Sequence, residues 1–243
     1  MNKKLLFVNQ SQFGYHIDFF KYCKYLKDDF EITYLCWDYF KPKIEEKNIN
    51  VLYVPRTGTI VRRNFNFLKA VFREIKNQKN QSIFVNYFRA CFFIPLFYKN
   101  TYHVHLHIVS GSVSRNTFSR FIYNSILCIE SHFFNSVSVI SEGLKKLLKI
   151  SKRSYILPLG ADPVHIIKKR SNCLQMIYIG TLSNRHIEDT ITGLGLFVSK
   201  FRNINIRYII IGEGWGNETE ILRNRIREYG LESIVELKGY IPH

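Results

Sequence analysis

The chain has 243 residues, 46% of them apolar and 22% charged, with a formal net charge of +16. That length and apolar content support one large or two modest domains with real cores and exclude a disordered chain. The basic balance favours nucleotide phosphates, nucleic acid or anionic lipid as partners without choosing among them.

From the N-terminus, MNKKLLFV is basic, but its apolar run at 5–8 is too short for an export signal. KLLFV (4–8) reads as a strand buried on both faces. A turn at Phe13-Gly14 leads to a helical stretch at 16–26. EITYLCW (31–37), NVLYV (50–54) and SIFVNY (82–87) predict further strands. Phe67, Leu68, Val71, Phe72 and Ile75 predict a helix between the last two. ACFFIPLFY (90–98), the most apolar window, falls far short of the ~20 residues that span a bilayer. YHVHLHIV (102–109) and VSVIS (137–141) predict two more strands. Between them Phe118, Phe121, Ile122, Ile126, Ile129 and Phe133 form an apolar stripe at helical spacing, the mark of a long amphipathic helix.

LPLGADP (157–163) breaks this pattern, and a domain linker is expected near 160–174. QMIYIG (175–180) then predicts a strand, and Ile187, Ile191, Leu194, Val198 and Phe201 a helix. IRYIIIG (206–212) predicts the next strand. Asn217 and Glu220 have capping-box spacing ahead of a helix that ends at Gly230, and SIVELKG closes the series. The alternation predicts an α/β fold with parallel sheet and helices on both faces. The five cysteines, Cys23, Cys36, Cys91, Cys128 and Cys173, are widely spaced without Cys-x-x-Cys. They read as reduced thiols in a cytoplasmic protein rather than a zinc or disulfide framework.

In open parallel sheets, ligands bind beyond the carboxyl ends of the strands. Gly14, Gly180 and Gly212 fall at such ends. Glycine there lets backbone approach a phosphate, while a tight turn with no ligand is the competing reading. Gly214 lies in GEGWG, which is not the dinucleotide fingerprint. His103, His105 and His107 alternate along one strand face. Neighbours are ~7 Å and the outer pair ~13 Å apart, too far for one ion, so no metal is expected. His107 lies nearest the carboxyl end of its strand.

YIGTLSNRHIEDTITGL, YIIIGEGWGNETEIL and GLESIVELKGYIPH, over 176–243, resemble in order and spacing the nucleotide-binding domain of GT-B glycosyltransferases of the retaining group 1. VISEGLKKLL (139–148) and LPLGAD are similar to the same family more loosely. The resemblance implies two Rossmann-like domains, an acceptor domain at 1–165 and a donor domain at 174–243. It implies transfer of a sugar from a nucleotide-sugar donor to a glycan or lipid-linked acceptor in cell-surface polysaccharide synthesis, with no cofactor. Implied donor-binding residues are Gly14, Gly180, Thr181, Arg185, Gly212, Gly214, Tyr240 and Ile241. Arg185 matches the family's phosphate-holding Lys, and Thr181 stands where the family has an Arg. His107 is the implied catalytic residue, with His16 and Glu142 on the acceptor side.

In that family GYIP precedes a helix, a strand and a loop with two glutamates seven residues apart. The chain is therefore expected to be the front part of such an enzyme, its second domain incomplete and its own transfer activity slight. The basic, aromatic first domain suggests an anionic membrane surface as a further partner, at the inner face. The rival reading is a non-catalytic basic module for nucleic acid or membrane. That reading calls for arginines interleaved with aromatics on an exposed sheet, or a helix-turn-helix. Neither pattern is present, and no specific nucleic acid is expected.

Overall fold

The computed structural model describes residues 3–78, 81–112, 116–150, 154–159, 172–201 and 204–241. The chain divides into two compact units, Met1–Pro163 and Val164–His243. Most of the expected linker, 160–171, lies outside the described residues.

The first unit is built on seven strands: β1 (Lys3–Val8), β2 (Phe30–Asp38), β3 (Ile49–Pro55), β4 (Gln81–Asn86), β5 (Val104–Ile108), β6 (Ser136–Val139) and β7 (Ser154–Ile156). All pair in parallel, in the order β3-β2-β1-β4-β5-β6-β7. The helices are α1 (Ile17–Leu26), α2 (Ile60–Asn77), α3 (Phe93–Tyr98), α4 (Thr117–Ser131) and α5 (Glu142–Leu148). Because side chains alternate along a strand, β1 serves two cores. Leu6 and Val8 pack with Phe67, Val71 and Ile75 of α2 and Leu127 of α4. Leu5 and Phe7 pack with Phe19 and Cys23 of α1 on the other face. This is why KLLFV is apolar without a break. Strand order reverses between β1 and β4, the topological switch point of the sheet.

Two elements escaped the sequence reading. The strand β7 has three residues, too few for a period. The helix α3 lies within the apolar window and carries Pro95 in its first turn, where a missing N–H is tolerated. The short helix α5 is capped by Ser141, whose Oγ accepts the Leu144 N–H at 3.2 Å. The stripe on α4 forms the expected helix but turns outward: Phe118 is 72% and Ile129 63% exposed, with Phe121, Ile122 and Ile126 also exposed. The helix buries Leu127, Glu130 and Ser131 instead. Periodicity marks an apolar face; it does not say what that face packs against.

The second unit contains β8 (Leu174–Ile179), α6 (Ile187–Lys200), β9 (Ile206–Ile211), α7 (Glu218–Glu228) and β10 (Val235–Gly239). The strands run parallel in the order β10-β9-β8. Ile187, Ile191 and Leu194 of α6 and Leu222 and Ile226 of α7 meet Ile206, Tyr208 and Ile210 of β9 in one core. On β8, Ile177 and Ile179 are 61% and 67% exposed. At the end of α7, Gly230 adopts φ 63°, its N–H reaches Arg227 O at 3.1 Å, and the Leu231 N–H reaches Ile226 O at 2.9 Å. This is a Schellman end, as the glycine predicted. The capping box expected at Asn217 does not form. With φ −93° and ψ 14°, Asn217 is too near helical to act as an N-cap, and its side chain makes no cap bond. The Glu218 carboxylate accepts the Gly216 N–H instead, at 2.8 Å.

Candidate functional site

At the switch point, β1 runs into Asn9, β4 ends at Asn86 and β5 carries His107 next to its last residue; all three are buried. Asn86 Nδ2 donates to Asn9 Oδ1 at 3.1 Å, and the Ser11 N–H donates to the same oxygen at 3.0 Å. His107 Nδ1 lies 2.8 Å from Ser138 Oγ. Two buried atoms here, Asn86 Oδ1 and His107 Nε2, have no partner among the described residues; Asn9 Nδ2 has only the Tyr34 hydroxyl, and His16 Nδ1 lies 4.0 Å from the Asp18 carboxylate. The Phe19 ring joins the two histidines, 5.0 Å from His16 and 5.8 Å from His107. Burial, with the neighbouring His16 second, lowers the His107 pKa to about 4. Burial also lowers His16, opposed by the nearby Asp18 carboxylate. Both rings are therefore held neutral.

The loop joining β1 to α1 is fixed by Gln12, whose Nε2 donates to Lys41 O at 2.8 Å while its Oε1 accepts the Tyr39 N–H at 2.9 Å. Gly14 has φ 87°, and a Cβ there would stand 2.2 Å from Ile44 Cδ1. Chain conformation and Ile44 packing both require glycine at that point. His16 and His107 thus come together around the switch point, while Gly14 lies in the loop after β1 against Ile44. Glu142, the first residue of α5, is exposed with its carboxylate 4.0 Å from Lys145 Nζ, and Ser141 caps that helix.

A basic cluster lies beyond the ends of β2 and β3. The Arg56 guanidinium sits 4.8 Å from the Tyr39 ring centroid and 5.4 Å from that of Trp37; Arg63, in the first turns of α2, lies 5.7 Å from Trp37. The Nε atoms of both arginines are buried and unpartnered among the described residues. The nearby Asp38 carboxylate is engaged by the Phe40 N–H at 2.7 Å and by Lys43 at 3.9 Å.

In the second unit, Gly180, Gly212 and Gly239 lie side by side at strand ends. The Gly180 N–H reaches Ile211 O at 3.0 Å, and the Gly212 N–H reaches Gly239 O at 2.9 Å. Gly212 has φ 145°, and a Cβ there would lie 1.8 Å from Gly180 O. The fit between strand ends therefore demands glycine before any ligand is considered. The Thr181 hydroxyl donates to Glu213 O at 3.4 Å and accepts the Ser183 N–H at 3.3 Å, so it laces two loops together. The Trp215 N–H adds a bond to Ser183 Oγ at 2.8 Å. Gly214 is held close to Glu218, whose Oε2 would lie 2.3 Å from a Cβ. Arg185 is exposed, lies between Asn184 (φ 59°) and His186 (φ 51°), and makes no ion pair among the described residues. Two non-glycine residues flank it in the left-handed region, a strained conformation for side chains other than glycine. Glu188 and Asp189 occupy the first turn of α6 and already complement that helix terminus. Tyr240 and Ile241 are exposed just after β10.

Sequence reading missed Asn9, Asn86, Arg56, Arg63 and Ser138. Asn9 and Asn86 had a weak signal, a polar residue closing an apolar strand. Ser138 had a better one: SVS and HVH share a two-residue period, and the register sets His107 opposite Ser138.

Comparison with solved structures finds the same architecture. The chain is similar to the apo form of the lipopolysaccharide outer core galactosyltransferase WaaB, with TM-score 0.66 and 15% identity over 98% of this chain and 68% of that one. It is similar to HepE of Anabaena in complex with UDP and glucose, with TM-score 0.67 and 15% identity over 99% and 70%. It is similar to WaaG, a glycosyltransferase involved in lipopolysaccharide biosynthesis, with TM-score 0.62 and 12% identity over 98% and 70%. No protein-family model and no curated protein matches the chain. At these identities the likeness speaks for architecture, and the chain has the α/β fold of the GT-B glycosyltransferases.

Proposed function

We propose that this protein acts in glycosyl transfer for cell-surface polysaccharide synthesis, the second unit holding a nucleotide-sugar donor and the first a glycan or lipid-linked acceptor. The observation that carries the reading is the group of under-satisfied buried polar atoms at the switch point, with Asn86 Oδ1 and His107 Nε2 wholly unpartnered among the described residues. Each such atom costs roughly 1–3 kcal/mol if nothing meets it. Asn9 Nδ2 is a donor, Asn86 Oδ1 an acceptor, and the two neutral imidazoles are one or the other. A mixed set of this kind suits the hydroxyl groups of a sugar, each both donor and acceptor. HepE, with the same fold, was solved with UDP and glucose.

In this reading the Arg185 guanidinium and the loop N–H groups after Gly180 and Gly212 hold the donor diphosphate and offset its charge as the sugar leaves. Tyr240 and Ile241 lie against the base. Neutral His107 offers Nε2 to the reacting sugar, and no metal is called on. Arg56 and Arg63, with no carboxylate partner among the described residues, support an acceptor that carries a phosphate or carboxylate. The exposed apolar face of α4, flanked by exposed Arg120 and Lys149, supports a peripheral position on an anionic bilayer.

A filter-binding assay with radiolabelled nucleotide sugar and with single-stranded RNA tests the reading. Saturable retention of the nucleotide sugar, not displaced by RNA, is expected. Tight RNA binding with a steep salt slope and no retention of the nucleotide sugar would favour a nucleic-acid module instead.

A further inference from the structure

Away from the core that contains α2 and α4, the face shared by β5 and β6 is polar. It carries His103, His105 and His107 against Ser136 and Ser138, with His105 opposite Ser136 and His107 opposite Ser138 in the register. These five side chains form one unbroken hydrogen-bonded line. His103 Nε2 lies 2.8 Å from Ser136 Oγ, and Ser136 Oγ lies 2.7 Å from His105 Nδ1. His105 Nε2 lies 2.7 Å from Ser138 Oγ, and Ser138 Oγ lies 2.8 Å from His107 Nδ1. The line starts at exposed His103 and ends at buried His107, whose Nε2 is the unpartnered atom at the switch point. Aromatic rings wall it in. Tyr155 stacks on His105 at 5.3 Å and Phe84 lies 4.7 Å away, while Phe19, Tyr22 and Phe84 surround His107.

Two arrangements satisfy every group along the line; a third, in which both imidazoles donate to Ser138, would leave the Ser138 proton without an acceptor among the described residues. A neutral imidazole carries one proton on its two nitrogens, and a serine hydroxyl has one proton to donate. If His105 bears its proton on Nε2, it donates to Ser138 Oγ. Ser138 then donates to His107 Nδ1, and the His107 proton must sit on Nε2. If His105 bears its proton on Nδ1, Ser138 donates to His105 Nε2 and accepts from His107 Nδ1–H, leaving a lone pair on His107 Nε2. With the Ser138 proton satisfied within the line, the two histidines share a tautomer. Burial keeps His105 neutral, as the count requires.

We propose that Ser138 and His105 are positioning residues that lock His107 into one tautomer, so that its Nε2 meets a sugar hydroxyl with one fixed hydrogen-bond polarity. The use made of Nε2 rests on the glycosyl-transfer reading; the lock itself does not. A hydroxyl can donate or accept, so a fixed imidazole fixes which it does, and with that the direction in which its oxygen is polarised.

Long-range 1H–15N correlation NMR of the whole chain, labelled at histidine and free of ligand, reads each tautomer directly. In the wild type at neutral pH, His105 and His107 should each show a single tautomer, and the same one. Opposite tautomers, or averaged signals on His107, would overturn the proposal. In Ser138→Ala, His107 should become a mixture of both tautomers while His103 stays unchanged, and Ser138→Thr should restore the single form. A His107 tautomer unaltered in folded Ser138→Ala would overturn it equally. Should the alanine variant fail to fold, the wild-type pairing decides alone. None of these signals depends on nucleotide-sugar binding, so failure of the functional reading is distinguishable from failure of the lock.

Discussion

His105 and His107 are buried beside aromatic rings, and burial holds their pKa values at about 3 and about 4, below the ordinary value of 6.5. The unfolded chain therefore takes up protons that the folded chain refuses. Stability contributed by these rings is complete above about pH 6.5 and is lost as pH falls through 6.5 toward 3. For His107 alone the loss is on the order of 3 kcal/mol. Urea midpoints measured between pH 7 and pH 4 should fall accordingly. His107→Gln, which keeps a polar side chain but cannot gain charge, should flatten that fall; an unchanged slope would mean His107 is not buried neutral. At this scale the sequence was half informative. It placed His107 by its position at a strand end. It could not place Asn9 or Asn86, because which strands become neighbours at the switch point is a matter of topology and not of local pattern.

Elements were legible wherever a strand or helix had enough residues to show its period. The strands β1 to β6 and β8 to β10 followed from runs of apolar and β-branched residues, while three-residue β7 gave no such run. The outward turn of α4 could not be read, since an apolar stripe looks the same whether it meets a core, a bilayer or another chain. If that face meets an anionic bilayer, the chain should float with vesicles containing phosphatidylserine and not with neutral ones. Replacing Phe121 and Ile129 together by serine should abolish flotation and shift stability by less than about 0.5 kcal/mol, as expected for exposed positions. Equal flotation of the double variant would exclude α4 from the contact. At the strand ends of the second unit, Gly212→Ala would force a Cβ to 1.8 Å from Gly180 O at φ 145°. It should destabilise that unit by about 3 kcal/mol or more, read as a lower denaturation midpoint. A neutral effect would mean the β8 and β9 ends are not packed this closely.

The whole molecule has two units whose apolar cores share no residue. Two unfolding transitions are expected by calorimetry, and Gly212→Ala should move only one of them. A single transition that shifts as a whole would show the units to be coupled. The two-unit organisation was legible because the run of strands and helices restarts after a stretch rich in proline and glycine. The glycines at the strand ends of the second unit were legible as turn positions, and at Gly212 and Gly214 packing alone already requires glycine. With a net charge of +16 the molecule attracts anions generally, so weak binding of a nucleotide would prove little. The decisive comparison is therefore calorimetric titration of wild type, Arg185→Ala and Thr181→Arg with UDP, GDP and ADP at physiological salt. One of the three should bind the wild type. Arg185→Ala should weaken that binding by about 1.5–3 kcal/mol, roughly tenfold or more, and Thr181→Arg should strengthen it. Binding of none of the nucleotides, or equal affinity in wild type and Arg185→Ala, would contradict a donor site in the second unit.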